Sequence, residues 1–372
     1  MDDLSRRAVI GVDSGNTKTA AVCVTLDGEL VAHNRVGPSN YQTLGPRGAL
    51  EVLTEACLPL AETAAVAGKT LAGFGFGLTG LDRPRDEAVL DRVTGELIAL
   101  LAETTRSLQD APRVMVNDAA LVLRAGVDDG IGVAVSSGTG GNCVGMGRDG
   151  RRTQVGGLTR ELGDGGGACD IARAGLRAAG RARDGRDPPT RITDLLLERL
   201  GIESIEDIME FMIPADDADD GRDKMGLRDI LEALGALAPL VFRAAAEGDR
   251  VAIGILEDEG RDLGLSVGIA GARLGFSRDD EFPLVLGGGV LANAEDPTFE
   301  KAIVAEARTR FPRIVPIKLQ HHPVLGAVLL ALDALSLNPE FHGLVAPLSN
   351  GSLRRRVGPS VTGIFQGSSD PG

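Results

Sequence analysis

The sequence predicts an α/β protein made of two similar halves. Short apolar runs alternate with segments of helical periodicity, the pattern of strands layered against helices. The stretch "AVIGVDSGNTKTAAVCVTLDG" (residues 8–28) has a counterpart in "GVAVSSGTGGNCVGMGRDG" (residues 132–150). In each, a strand dissolves into a loop of small and hydroxyl residues and a second strand follows. Each then ends on an Asp-Gly turn, at Asp27-Gly28 and at Asp149-Gly150. Asp-Gly between strands is a strong hairpin signal, so two hairpins with polar, glycine-bearing tips open the two halves.

The elements follow in order. "GALEVLTEACLPLAETAAVAG" has helical periodicity, "LAGFGFGLTG" reads as a strand leading into a loop, "DEAVLDRVTGELIALLAETT" is a second helix and "PRVMVND" the next strand. In the second half "GACDIARAGLRAAGRARDG" is a helix, and further helices cover roughly 190–211 and 226–274. "FPLVLGGGVLAN" is a strand running into a glycine turn, and "HPVLGAVLLALDAL" opens a helix after a proline. "MIPADDADDGRDKMG" reads as an acidic surface loop. A boundary near Asp118 gives an N-terminal domain over 1–118 and a C-terminal domain over 119–345, whose last helix is expected to pack back on the first. Residues 346–372, rich in Gly, Ser, Pro and Arg, read as a flexible tail.

Composition limits the functions open to the chain. Its 372 residues suffice for two domains, and 43% hydrophobic content allows a large core. With 3% aromatics and no Trp, Ala, Val, Leu and Gly must fill that core. A net charge of −14 repels nucleic acid and anionic membranes at long range, so neither is an expected partner. A compact polyanion can still be held locally by backbone N–H groups and a metal ion. Cys23, Cys57, Cys143 and Cys169 form no CxxC pair and read as buried thiols of a reducing cytosol. The polar start "MDDLSRR" offers no signal peptide, and "VLGAVLLALDALSL" is too short to span a membrane. A soluble, cytoplasmic protein is expected.

Several familiar motifs are absent. "GKT" at residues 68–70 lacks the upstream glycine of a P-loop, and "GFGFG" lacks the dinucleotide spacing. No GxSxG elbow surrounds Ser136 or Ser137, and no HExxH exists. His321-His322, before a proline, reads as a surface or capping pair. The hairpin tips carry more. A tight turn of Gly, Ser and Thr brings N–H donors close to an anion. Ser14, Gly15, Asn16 and Thr17 can cup one phosphate group, and Ser137, Gly138, Thr139 and Gly140 another. Asp13 stands where it can hold Mg²⁺, through water. Asp118, closing a strand before a helix, reads as a helix N-cap or as a general base at the edge of a sheet, and both roles can hold at once. Gly156, Gly157 and Asp164, in the glycine-dense "VGGLTRELGDGGGACDIA", are candidates for contacting a polar substrate.

Together "GVDSGNTKT", "GPSN", "VNDAA", "SSGTGG", "GGLTRELGDGGG", "LVLGGGVLAN" and "HPVLGA" resemble, in order, the sugar-kinase, Hsp70 and actin superfamily. Within it the resemblance is to N-acetylglucosamine kinases and to the activator ATPases of 2-hydroxyacyl-CoA dehydratases. It implies two ribonuclease H-like (actin-like ATPase) domains with a cleft between them, ATP and Mg²⁺ as cofactors, and a homodimer. It implies that Asp13, Gly15, Asn16, Thr17 and Lys18 belong to a first phosphate loop, Ser137, Gly138, Thr139 and Gly140 to a second, and Gly287, Gly288 and Gly289 to an adenosine site. Asn40, Gly157 and Asp164 match positions at the sugar, Gly156 and Asn117 are expected as substrate contacts beside them, and Asp118 matches the base acting on the sugar hydroxyl, at carbon 6. Leu158 stands where the kinases usually have Trp, Thr159 where Gly is frequent, and Gly165 where a Glu often reads the sugar. The expected activity is an amino-sugar kinase acting on N-acetylglucosamine or glucosamine. The alternatives are a dehydratase activator, whose cluster would need Cys143 and Cys169, and a non-catalytic nucleotide or sugar sensor.

Overall fold

The computed structural model of the protein describes residues 4–105, 111–208 and 233–337. The acidic segment at 212–226 and the tail at 346–372 lie outside these residues. The first half supplies strands β1 (Arg7–Ser14), β2 (Thr19–Thr25), β3 (Leu30–Val36), β4 (Thr70–Leu78) and β5 (Arg113–Asn117), paired in the order β3-β2-β1-β4-β5. The second supplies β6 (Gly132–Ser137), β7 (Gly141–Met146), β8 (Arg152–Gly156), β9 (Pro283–Gly287) and β10 (Val315–Lys318), in the order β10-β9-β6-β7-β8. The two orders are one topology. In each sheet three strands run as an antiparallel meander, and two more join parallel to the first. The repeat legible in the hairpins thus extends to whole sheets.

Parallel strands need long crossovers, and helices supply them. In the first half these are α1 (Tyr41–Val66) and α2 (Pro84–Thr105). In the second they are α4 (Ala168–Arg183), α5 (Arg191–Leu200), α6 (Ala238–Ala246) and α7 (Arg250–Arg273) before β9, then α8 (Gly289–Asn293) and α9 (Thr298–Arg310) before β10. The central strands are covered on both faces, which is why they read as unbroken apolar runs. Within β2, every residue is buried.

Two helices join the halves. Helix α3 (Asp118–Gly126) links β5 to β6, and its Ala119, Val122 and Leu123 pack on Ala134, Val144 and Val285 of the second sheet. Helix α10 (Val324–Ala334) follows β10 yet packs on the first sheet, with Val324, Leu325 and Val328 against Val9, Val22 and Val24. Buried Arg124 of α3 grips Asp333 of α10 with two guanidinium bonds of 2.9 and 3.0 Å.

Glycine sets the seating of α10. A Cβ at Gly75, on β4, would overlap the carbonyl oxygen of Ala327, and one at Gly11, on β1, would stand 2.8 Å from the Val328 backbone nitrogen. Backbone atoms of a packed helix cannot retreat as a side chain can. Gly75→Ala should therefore destabilise the protein by about 3 kcal/mol or more, at the upper end of overpacking effects. Urea denaturation at equilibrium checks this.

Candidate active site

The site begins with the ends of strands. β1 pairs with β2 as far as Ser14 and Thr19, leaving residues 15–18 as the first tip, closed by the Gly15 N–H donating to the Lys18 carbonyl at 2.9 Å. β6 pairs with β7 as far as Ser137 and Gly141, leaving residues 138–140 as the second tip, closed by the Gly138 N–H donating to the Gly140 carbonyl at 3.0 Å. Both tips face one cavity of about 880 Å³. Asp13, Gly15, Asn16, Thr17 and Lys18 line it from the first tip, and Gly138, Thr139 and Gly140 from the second. Gly287, Gly288 and Gly289 also line it. Gly288 sits at φ +96° with its backbone against Ser137, where a Cβ would collide with the Ser137 carbonyl.

Two expected hydroxyls point elsewhere. Side chains alternate along a strand, so Asp13 and Ser136 line the cavity while Ser14 and Ser137 turn inward. Ser14 ends a buried hydroxyl chain, accepting from Ser39 at 2.7 Å, with Ser39 in turn 2.7 Å from Thr19. Ser137 donates to the Gly166 carbonyl at 2.5 Å. Ser14 and Ser137 hold the tips in shape, and their hydroxyls are not cavity donors.

The cavity is also lined by Asn40, Asn117, Asp118, Gly157 and Asp164. Gly156 is not on its wall, but its backbone takes φ +75° where the chain turns behind Gly157. Asp118 is not the helix cap: Asn117 is, accepting from the Ala119 N–H at 3.0 Å. Asn117 also accepts from Asn142 at 3.2 Å and donates to Asp82 at 3.0 Å. Asn40 caps α1 by accepting from the Gln42 N–H at 2.8 Å and donates to Asn16 at 2.7 Å, which ties the start of α1 to the first tip. Asp164 accepts from the Leu158 N–H at 2.5 Å, folding its loop onto itself.

With its neighbour capping the helix, the Asp118 carboxylate accepts local bonds, from the Ala119 N–H at 3.1 Å and from its own backbone N–H. Burial, and then the Asp13 and Asp82 carboxylates, push it up to about 7. Burial likewise pushes Asp13 up to about 6, opposed by Lys18. His322 does cap, its Nδ1 accepting from the Val324 N–H at 3.2 Å, and it also lines the cavity. Burial, Lys18 and Arg35 push it down to about 4, so at neutral pH its approach to 3.8 Å from Asp13 is no ion pair.

Asp82 went unread in the sequence. It lies in the loop between β4 and α2, accepts from Gln154 and Asn117 at 3.0 Å each, and burial raises its pKa. Its place in the loop that leaves the C-terminal end of a parallel strand could have flagged it. Gln154, Asn142 and Arg35 also line or brace the cavity and carried no local signal.

A cavity shared by two glycine-bearing hairpin tips and a carboxylate of raised pKa has the parts that phosphoryl transfer to a neutral hydroxyl needs. Residues 10–331 match the family model described as the BadF/BadG/BcrA/BcrD ATPase family. The chain belongs to that family. An N-acetyl-D-glucosamine kinase of Dictyostelium discoideum is 27% identical over 344 residues, 89% of this chain and 99% of that protein. An N-acetylmuramic acid/N-acetylglucosamine kinase of Clostridium acetobutylicum is 27% identical over 329 residues, 87% of this chain and 97% of that one. Among solved structures, a Chromobacterium violaceum protein named as a candidate N-acetylglucosamine kinase superposes with a TM-score of 0.60 at 23% identity, covering 88% of this chain and 99% of the other. That likeness establishes the two-sheet, actin-like ATPase fold.

No helix among the described residues is long and apolar enough to cross a membrane.

Proposed function

We propose that this protein is an ATP-dependent kinase that phosphorylates an amino sugar, N-acetylglucosamine or glucosamine, at the 6-hydroxyl. The observation that carries the reading is Asp118: a carboxylate pushed up to about 7 on the wall of the cavity that the two hairpin tips share. The names of the two curated relatives supply the acceptor class.

In this reading the N–H groups and threonine hydroxyls of residues 15–18 and 138–140 hold the triphosphate, and residues 287–289 border its adenosine. Asn40, Asn117, Gly157 and Asp164 border the sugar. Asp118 orients the acceptor hydroxyl and takes its proton as the oxygen attacks the γ-phosphorus. A base is most effective when its pKa lies near the working pH. Positioning and electrostatics do most of the remaining work in such transfers. Asp13 fits a magnesium ion as a hard oxygen donor held through water. Its carboxylate lies beside the first tip at 17% exposure, and the burial that raises its pKa is what a cation would offset. Mg²⁺ would supply charge neutralisation on the phosphate oxygens.

The dehydratase-activator reading needs cysteine thiolates presented to a partner. Cys143 is fully buried in β7 and Cys169 is 4% exposed, and burial raises both thiols. This favours the kinase. The test is a coupled ATPase screen over hexoses and amino sugars with Mg²⁺, followed by phosphorus NMR of the product. The expected result is turnover that depends on an amino sugar and yields a 6-phosphate. Hydrolysis of ATP at one rate whatever sugar is added would overturn the proposal.

A further inference from the structure

Residues 163–167 include four glycines and have almost no side chains with which to hold themselves beneath the second hairpin tip. Their contact with it is nonetheless intimate. A Cβ at Gly141 would overlap the Gly165 carbonyl, and one at Gly167 would overlap the Gly140 backbone. The chain leaving the run is bonded to the tip itself: the Ala168 N–H donates to the Gly138 carbonyl at 2.8 Å, and the Cys169 N–H to the Thr139 carbonyl at 3.1 Å. Wherever the run sits, residues 138–140 must follow.

What fixes the run comes from outside it. The Gly167 N–H donates to Asp170 at 3.2 Å, within the same helix cap. The Gly166 N–H donates to Glu259 Oε2 at 2.7 Å, and Glu259 belongs to α7, some 93 residues further along the chain. The Glu259 side chain is 11% exposed. Arg160 braces the same assembly, with Nη1 at 2.9 Å from Asp170 Oδ1 and 3.7 Å from Glu259 Oε1. A carboxylate this buried is destabilising unless its bonds compensate. One backbone N–H and a guanidinium at 3.7 Å are modest compensation. Nor can the run supply the anchor itself, since a side chain at Gly165 would meet Glu259 Oε2 at 3.1 Å and Asp262 Oδ2 at 3.0 Å.

We propose that Glu259 is a positioning residue: it anchors the glycine run from helix α7 and thereby sets the second hairpin tip for the phosphates of ATP. The inference rests on the assignment of that tip to the triphosphate under the proposed function. Glu259 does not line the cavity and touches no substrate. Its effect passes through Gly166.

The test is the affinity of the full chain for AMP-PNP with Mg²⁺, by calorimetry, alongside the melting temperature of each variant. Glu259→Ala leaves the Gly166 N–H unpaired and should weaken AMP-PNP binding about tenfold or more. Glu259→Gln keeps an oxygen at the same reach and should stay within about threefold of the parent. Glu259→Met keeps the length without the acceptor and should behave as Ala does, so it carries the test if the alanine variant does not fold. A merely structural glutamate would move the melting temperature and leave the affinity of the folded protein unchanged. Parental affinity in Glu259→Met or Glu259→Ala, with Gly167→Ala still impaired, overturns the role of Glu259 and leaves the tip assignment standing. Parental affinity in all of them overturns the tip assignment as well.

Discussion

Asp118→Asn should lower the rate of phosphoryl transfer by about 10²–10⁴-fold, the span expected on removing a general base, while leaving AMP-PNP affinity nearly unchanged. The same substitution should make the protein more stable. Burial and the neighbouring carboxylates push Asp118 up to about 7 in the folded protein, against 3.8 for an ordinary aspartate. Between those values the folded state holds its proton more tightly than the unfolded chain. Stability therefore falls as pH rises through that window, and the loss is complete above it. Asn carries no such penalty. At pH 8 the variant should gain up to about 4 kcal/mol over the parent, and the gain should vanish as pH falls toward 4. Asp13 and Asp82 contribute to the shift, so part of the gain should also appear as lowered pKa values at those groups. Lost turnover with a gain in stability is the mark of a group kept for function. Transfer by the parent should show an acid limb in kcat/KM, falling tenfold per pH unit well below 7. Denaturation curves at pH 4 and pH 8, with steady-state rates across that range, check all three expectations.

Gly167→Ala should damage the nucleotide site without unfolding the second half. The added methyl would overlap the Gly140 backbone and stand 2.6 Å from the Thr139 carbonyl oxygen, so the tip must shift rather than a side chain yield. Gly167 itself takes φ −91° and ψ 167°, a conformation open to alanine, so backbone strain does not confuse the result. Displacing N–H donors by even part of an ångström is expensive where phosphates are gripped by geometry. The expected result is a rise in KM for ATP of about 10–100-fold with a parental KM for the sugar. Loss of affinity for the sugar instead would mean that this tip serves the acceptor.

These two residues show what local chemistry reveals and what it hides. Asp118 was legible because it closes an apolar strand, and the ends of parallel strands are where open sheets bind ligands. The twin tips were legible because two similar loops between similar strands are hard to arrive at by accident. The wrong details arose from the period of two along a strand: Ser14 and Ser137 each lie one residue past the side chain that faces the cavity. The cap at α3 fell to Asn117, since either of two adjacent Asx residues can cap and only packing chooses. α9 and β10 escaped notice. β10 is a four-residue edge strand, "VPIK", with Pro316 within it and a largely exposed pattern, so no alternation marks it. Glu259 was beyond reach, because its partner lies 93 residues away and no spacing rule links a helix glutamate to a glycine N–H.

A structure of the protein with AMP-PNP, Mg²⁺ and the amino sugar that supports the fastest turnover tests the roles of the two tips and Asp118 together. The triphosphate should lie between residues 15–18 and 138–140, with the acceptor hydroxyl within about 3 Å of an Asp118 oxygen and facing the γ-phosphorus. A triphosphate bound away from either tip, or a sugar whose nearest hydroxyl is turned from Asp118, would contradict those roles.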